Sequence, residues 1–262
     1  MGVCCGASQY SSSQLVDLAP PSVDVNDKIA EWEASLPFAR TSMSAFVHHL
    51  NEAHSKSGGN GEVTLGNMIN QFNSPAWSCL KIQSNSTHQW LKLFCSNESG
   101  DGFSYKKLMM LGLLHCQDAK KPKNKAIALY GLLQEGGAEK QTHIASADKD
   151  LKSVLHSMFS LATTEPLIAS GQCARYSDEQ IEKIANCFYA VSGVEIPSSE
   201  ENAVEGDGEN TVVDKIFNVC AKVTYEVFIE QTIAEVSWVF KPTELRKRIW
   251  RAADLEELHK QQ

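Results

Sequence analysis

Gly2, Cys4 and Cys5 are the residues of this chain with the clearest chemistry to offer. Once Met1 is removed, the amine of an N-terminal glycine takes a myristoyl chain as an amide, and neighbouring thiols take palmitoyl chains as thioesters. One myristoyl chain holds a protein only marginally on a bilayer, so a second anchor is required. A polybasic patch is the common alternative, but no Lys or Arg precedes Lys28, and Asp17, Asp24 and Asp27 make the segment acidic. With a formal net charge of −8, the chain is repelled by an anionic leaflet. Attachment is therefore expected from lipid on Gly2, Cys4 and Cys5, although Gly6 stands where the acylation motif favours Ser or Thr.

Catalytic signatures are missing. The sequence holds no Walker glycine loop, no dinucleotide Gly-x-Gly-x-x-Gly, no Gly-x-Ser-x-Gly elbow and no His-Glu-x-x-His. His48, His49 and His54 cluster on one segment, but their spacings do not give the i, i+4 pair that a metal needs on a helix. His115 precedes Cys116 directly, and helical neighbours point about 100° apart, which rules out a catalytic dyad. Cys79, Cys95, Cys116, Cys173, Cys187 and Cys220 form no C-x-x-C pair and read as reduced thiols of a cytosolic protein. A pI near 5.5 excludes nucleic acid as a partner, because phosphate binding needs a basic face. No enzyme activity is expected.

The elements that must carry any site are helical. Residues 1–27, with Ser11-Ser12-Ser13 and Pro20-Pro21, read as a flexible tether. From Lys28 onward apolar residues recur at helical spacing: Ala45, Phe46, Leu50 and Ala53; Trp90, Leu91, Leu93 and Phe94; Leu108 to Leu114; Ala126 to Leu133; Leu151 to Phe159. Ser177-Asp178-Glu179-Gln180 is a capping box. Residues 197–210 are acidic and nearly free of large apolar side chains, and read as a loop. Helices are expected again from Val212, from Tyr225 and from Pro242. Strand signals are short, such as Glu62-Val63-Thr64 and Lys222-Val223-Thr224, and each lies between two helices.

Helix, short loop ending in an apolar residue, then helix is the shape of an EF-hand, whose loop has 12 residues with Gly at 6 and a bidentate Glu at 12. Anchoring loop position 8 on Val63 gives Lys56 to Asn67, with Gly61 at the turn but Lys56 and Asn67 where carboxylates belong. Anchoring on Phe103 gives Ser96 to Lys107; Gly102 falls one place late and Lys107 replaces the Glu. Anchoring on Ile144 gives Gly137 to Asp148, with Glu139, Gln141 and Asp148 as oxygen donors and Leu151 two places late for the next helix. Anchoring on Val223 starts the loop at Ile216, inside an apolar helix, and ends it at Val227, so this loop has been shortened.

The run from Glu209 through Ile216-Phe217, followed by Val223-Thr224-Tyr225-Glu226-Val227-Phe228, resembles the last hand of neuronal calcium sensor and calcineurin-B-like proteins. Ala126-Ile127-Ala128-Leu129-Tyr130 with Asp150-Leu151-Lys152-Ser153-Val154-Leu155 resembles their third hand, and an acylated Met-Gly start is common there. The resemblance implies an all-α fold of two paired EF-hand-like lobes with degenerate loops. The first pair is expected at 28–118 and the second at 123–240. An insert with an extra helix is expected at about 165–209, and a C-terminal amphipathic helix at 241–262. On that helix Leu245, Ile249, Trp250 and Leu258 form the apolar side, and Arg246, Lys247, Arg248 and Arg251 the charged side. The family's calcium ligands do not carry over, and no cofactor is expected. The expected function is a lipid-anchored adaptor, peripheral on the cytoplasmic face of a membrane, whose partner protein supplies an amphipathic helix to a groove containing Phe46, Trp90 and Phe94. The alternatives are a calcium sensor using the third hand through Glu139 and Asp148, and a constitutive structural subunit of a larger assembly.

Overall fold

The computed structural model describes residues 23–96, 102–118, 122–134, 142–163, 211–218 and 220–249, with Pro166, Ala169, Cys187 and Val191 as single positions. Gly2, Cys4, Cys5, Glu139, nearly all of the 165–209 insert and the tail from Trp250 lie outside the described residues.

The chain is mostly helical, with two small antiparallel sheets. Helix α1 runs Val23–Ser35, so helix begins inside the stretch read as a tether. The reason is the apolar stripe: Ile29 and Leu36 are fully buried with Trp32 packed beside them, and a helix that presents this stripe extends upstream of Lys28. After a 3-10 turn at Pro37–Arg40 come α2 (Met43–Lys56), β1 (Glu62–Thr64) and α3 (Leu65–Gln71). A second 3-10 segment, Pro75–Lys81, leads to α4 (Ser86–Cys95), β2 (Gly102–Ser104) and α5 (Tyr105–His115). The second half repeats the plan with α6 (Lys123–Gln134), β3 (His143–Ala145) and α7 (Lys149–Ala162). It then continues with α8 (Val212–Phe217), β4 (Lys222–Thr224) and α9 (Tyr225–Glu235). A 3-10 turn at Ser237–Phe240 leads to a last helix, α10, over 242–249.

Each strand is a three-residue piece placed just before an outgoing helix, and the strands join the units in pairs. Val63 faces Phe103 in one sheet, and Ile144 faces Val223 in the other. These are the four apolar positions that the loop spacing singled out. Gly102 is dictated by this pairing: a Cβ there would lie 2.7 Å from the carbonyl oxygen of Val63. The glycine that comes one place late for an ion loop is thus explained by strand contact.

Three of the outgoing helices, α3, α5 and α9, start alike, because the last strand residue caps them. Thr64, Ser104 and Thr224 accept N–H bonds from Asn67, Lys107 and Val227 through their side-chain oxygens. Between the start of α2, the end of α3 and the two 3-10 segments lies an aromatic cluster of Phe38, Phe46, Phe72 and Trp77, with ring centroids 4.4–6.1 Å apart. Trp77 keeps its one polar atom satisfied by donating to Thr41 Oγ1 at 3.0 Å. Helix α5 links the halves, packing on α2 in the first and on α6 and α7 in the second. No helix among the described residues is long and apolar enough to cross a membrane.

Candidate functional site

The first loop is closed by the protein itself. Ser57, which caps the end of α2, donates its hydroxyl to the Ala53 carbonyl at 2.7 Å. The same oxygen accepts the Thr64 N–H and the Asn67 side-chain amide, each at 3.0 Å. His54 Nε2 accepts the Gly61 N–H at 3.0 Å, and its ring stacks on Tyr105 at 4.4 Å. Gly61 holds φ +75°, the left-handed conformation that a residue with a Cβ adopts only with strain. Its carbonyl accepts the Tyr105 N–H, and Tyr105 in turn donates its hydroxyl to Asn51 Oδ1 at 2.7 Å. Asn67, at the place where an ion loop needs its bidentate carboxylate, is engaged as a hydrogen-bond donor. Burial lowers the His54 pKa, which keeps the ring neutral and Nε2 free to accept.

The described residues of the other loops form no better cradle. Asp148, read as a calcium donor in the third loop, instead caps α7, its Oδ1 accepting the Asp150 and Leu151 N–H groups at 2.8 and 3.3 Å. In the fourth unit α8 ends at Phe217, and Asn218 turns the chain at φ 43° just four positions before β4. Its backbone is tied by Cys220 N–H to the Phe217 carbonyl and by Ser146 N–H to the Ala221 carbonyl. Among the described residues no group of three His, Cys, Asp or Glu side chains could share a metal ion.

A buried polar junction, which the sequence did not reveal, joins the two halves. Arg246 on α10 is fully buried rather than on a solvated charged side. It donates to both carboxylate oxygens of Glu33 on α1, at 2.6 and 2.8 Å, and to the Ala162 carbonyl at the end of α7 at 2.8 Å. These are the partners a desolvated guanidinium needs, and the fork geometry is the strong, bidentate kind. Lys125 is also buried, its ammonium donating to the carbonyls of Leu114 and Phe240. Burial lowers its pKa to about 8, partly offset by Cys116 and Asp118. His115 has its Nε2 sealed from solvent without a hydrogen-bond partner. Burial is the main reason its pKa falls to about 4; Glu33 opposes the shift, while Lys125 and Arg246 reinforce it. Burial pushes the Cys116 thiol up to about 12, with Lys125 pulling it slightly back. A neutral imidazole beside an inert thiol is packing chemistry, not a nucleophile and its base.

The residues expected to line a partner groove are not brought together as one open surface. Phe46 is a core residue, enclosed by the aromatic cluster and pressed against α5: a Cβ at Gly112 would lie 2.3 Å from its ring. Trp90 and Phe94 do meet, 6.0 Å apart, but Trp32 of α1 covers Trp90 edge-on at 5.0 Å. The apolar side of α4 is thus already occupied by the chain's own first helix. A groove of about 740 Å³ lies open between the start of α6 and one face of α9, lined by Lys123, Tyr225, Glu226, Ile229, Glu230 and Ile233 among others. Its signal in the sequence is the i, i+4 pairing of Ile229 with Ile233 and of Glu226 with Glu230, two adjacent stripes on one helix.

No protein-family model, curated protein or solved structure matches this chain.

Proposed function

We propose that this chain is a lipid-anchored, non-catalytic adaptor built from two EF-hand-like pairs that have given up calcium, and that it presents a surface to a partner helix at a membrane. The observation that carries this reading is the strand register. Val63 with Phe103 and Ile144 with Val223 tie four helix–loop–helix units two by two, as paired ion-binding hands are tied, while the groups that would meet an ion bond to the protein instead. A loop whose twelfth position is Asn67, Lys107 or Val227 lacks the bidentate carboxylate that grips a hard cation there. The anchoring part rests on Gly2, Cys4 and Cys5 in the sequence.

Titration calorimetry and thermal melts of the full chain test the calcium half. Melts in excess calcium and in excess chelator should coincide, and no heat of tight binding should appear; a micromolar isotherm abolished by Asp148→Ala would replace this reading with a one-site sensor. Cell fractionation tests the anchor. Gly2→Ala and the Cys4→Ser/Cys5→Ser pair should move the protein from the membrane to the soluble fraction, and their retention on membranes would remove the lipid-anchored part.

A further inference from the structure

The groove along α9 has the composition of a helix-docking surface of defined charge. Its floor is apolar, from Tyr225, Ile229 and Ile233, on the flank of α9 beside the fully buried Phe228 and Thr232. Ile229 is buried at its base and Ile233 is half-buried, so the groove opens along the edge of the core. Ile127 and Tyr225, each 37% exposed, lie on the two helices that form it. Ile127 follows Lys123 by one helical turn, and Tyr130, the next turn on, contacts Tyr225 at 4.9 Å, so the apolar strip is continuous across the helices.

The rim supplies the sign. Helix α9 carries Glu226, Glu230 and Glu235 and no Lys or Arg. Among the described residues neither Glu226 nor Glu230 forms an ion pair, although both line the groove. The lining thus sets two unpaired carboxylates, one turn apart on α9, against a single cation, Lys123, and this acidic balance beside an apolar strip complements a helix with an apolar face flanked by Lys or Arg. An anionic lipid surface is the wrong chemistry for that rim. The 11 residues of α9 span about 16 Å, which sets the occupant at about three turns.

We infer that the α6–α9 groove is the docking site for a basic amphipathic helix of a partner protein, with Glu226 and Glu230 selecting its charge. This rests on the adaptor reading and gives its partner surface a location and a chemistry.

The test uses the full chain and two synthetic 14-residue amphipathic peptides, one of Leu and Lys and one with Glu replacing every Lys, followed by fluorescence anisotropy. The Lys peptide should bind and the Glu peptide should not. Glu226→Lys/Glu230→Lys should weaken the Lys peptide at least about tenfold, while Glu52→Lys/Glu62→Lys, an equal charge change at exposed positions around the first loop, should leave it unchanged. All four positions are solvent-exposed, so folding is preserved, and the melting curve checks it. Equal weakening by both pairs would mean attraction to net charge only and would overturn the proposal. Loss of binding in Leu93→Asp but not in Glu226→Lys/Glu230→Lys would keep a helix-binding adaptor and move its site to α4, where Leu93 is 71% exposed. Binding of the Glu peptide but not the Lys peptide would overturn the groove's charge selection alone, and failure of both to bind would overturn the groove together with the helix-binding part of the adaptor reading.

Discussion

The two strand-joined pairs hold themselves together by different means. In the first, a hydroxyl and an imidazole stitch the loop internally, and four aromatic rings pack the start of α2 against the end of α3 and both 3-10 segments. In the second, the loop before β4 is short and tied through its backbone, while buried charges fasten the helices: Arg246 grips the end of α7 and Lys125 spans from α6 to Phe240. Neutral donors complete the first loop, and a short chain tied through its backbone completes the loop before β4. The first loop is thus closed by residues of its own pair, whereas the second pair also leans on Arg246, which reaches across to Glu33 on α1.

The strongest way to break this contrast is at Arg246. Arg246→Met leaves Glu33 buried without its partner and should cost about 3–5 kcal/mol in denaturant unfolding. The double variant Arg246→Met/Glu33→Leu should recover most of that loss; if it stays as unstable as the single variant, the ion pair is not the cause. Gly112→Ala acts on the first pair's interior. The added methyl meets the Phe46 ring and should cost about 1–3 kcal/mol, and an unchanged melting curve would refute the close approach of α5 and α2.

Acid should weaken the junction next. The His115 pKa is about 4 in the folded chain and about 6.5 when unfolded, so between these values the unfolded state binds more protons. Stability is fully present above about pH 6.5 and is lost as pH falls toward 4; His54, shifted in the same direction, adds to the loss. His115→Leu should flatten this limb of the stability–pH curve, and an unaltered slope would clear His115 of responsibility. The smallest effect belongs to Ser57→Ala, which should cost about 1 kcal/mol. It should raise amide exchange at Thr64 and Asn67 while sparing the β3–β4 amides. Spread of the exchange into the second pair would show that the two are not closed independently.

Much of the framework was legible in the sequence because it is written in local spacing. Val63, Phe103, Ile144 and Val223 are each an apolar residue shortly before a helix, and such residues become strands that pair. The Ala45–Ala53 and Leu151–Phe159 stripes mark helix faces in the same way. The site was less legible. Phe46 and Trp90 have the composition of a groove and of a core alike, and only the placement of Gly112 and Trp32 assigns them inside. Asp148 has the composition of a ligand and of a helix cap, and the helix that starts directly after it decides for the cap.

The amino-acid order alone settled the mostly helical character, the repeated helix–strand–helix plan and the residues Asn67, Lys107 and Val227 at the twelfth position of three loops, since each depends on neighbours within a turn or two. Tertiary structure alone decided that Glu33 and Arg246, 213 positions apart, would share a buried pair, that Lys125 would leave the surface, and that α9 would keep an open flank. A charged side chain stays in water unless a partner is waiting where the chain folds, and spacing along the sequence carries no record of a partner that distant.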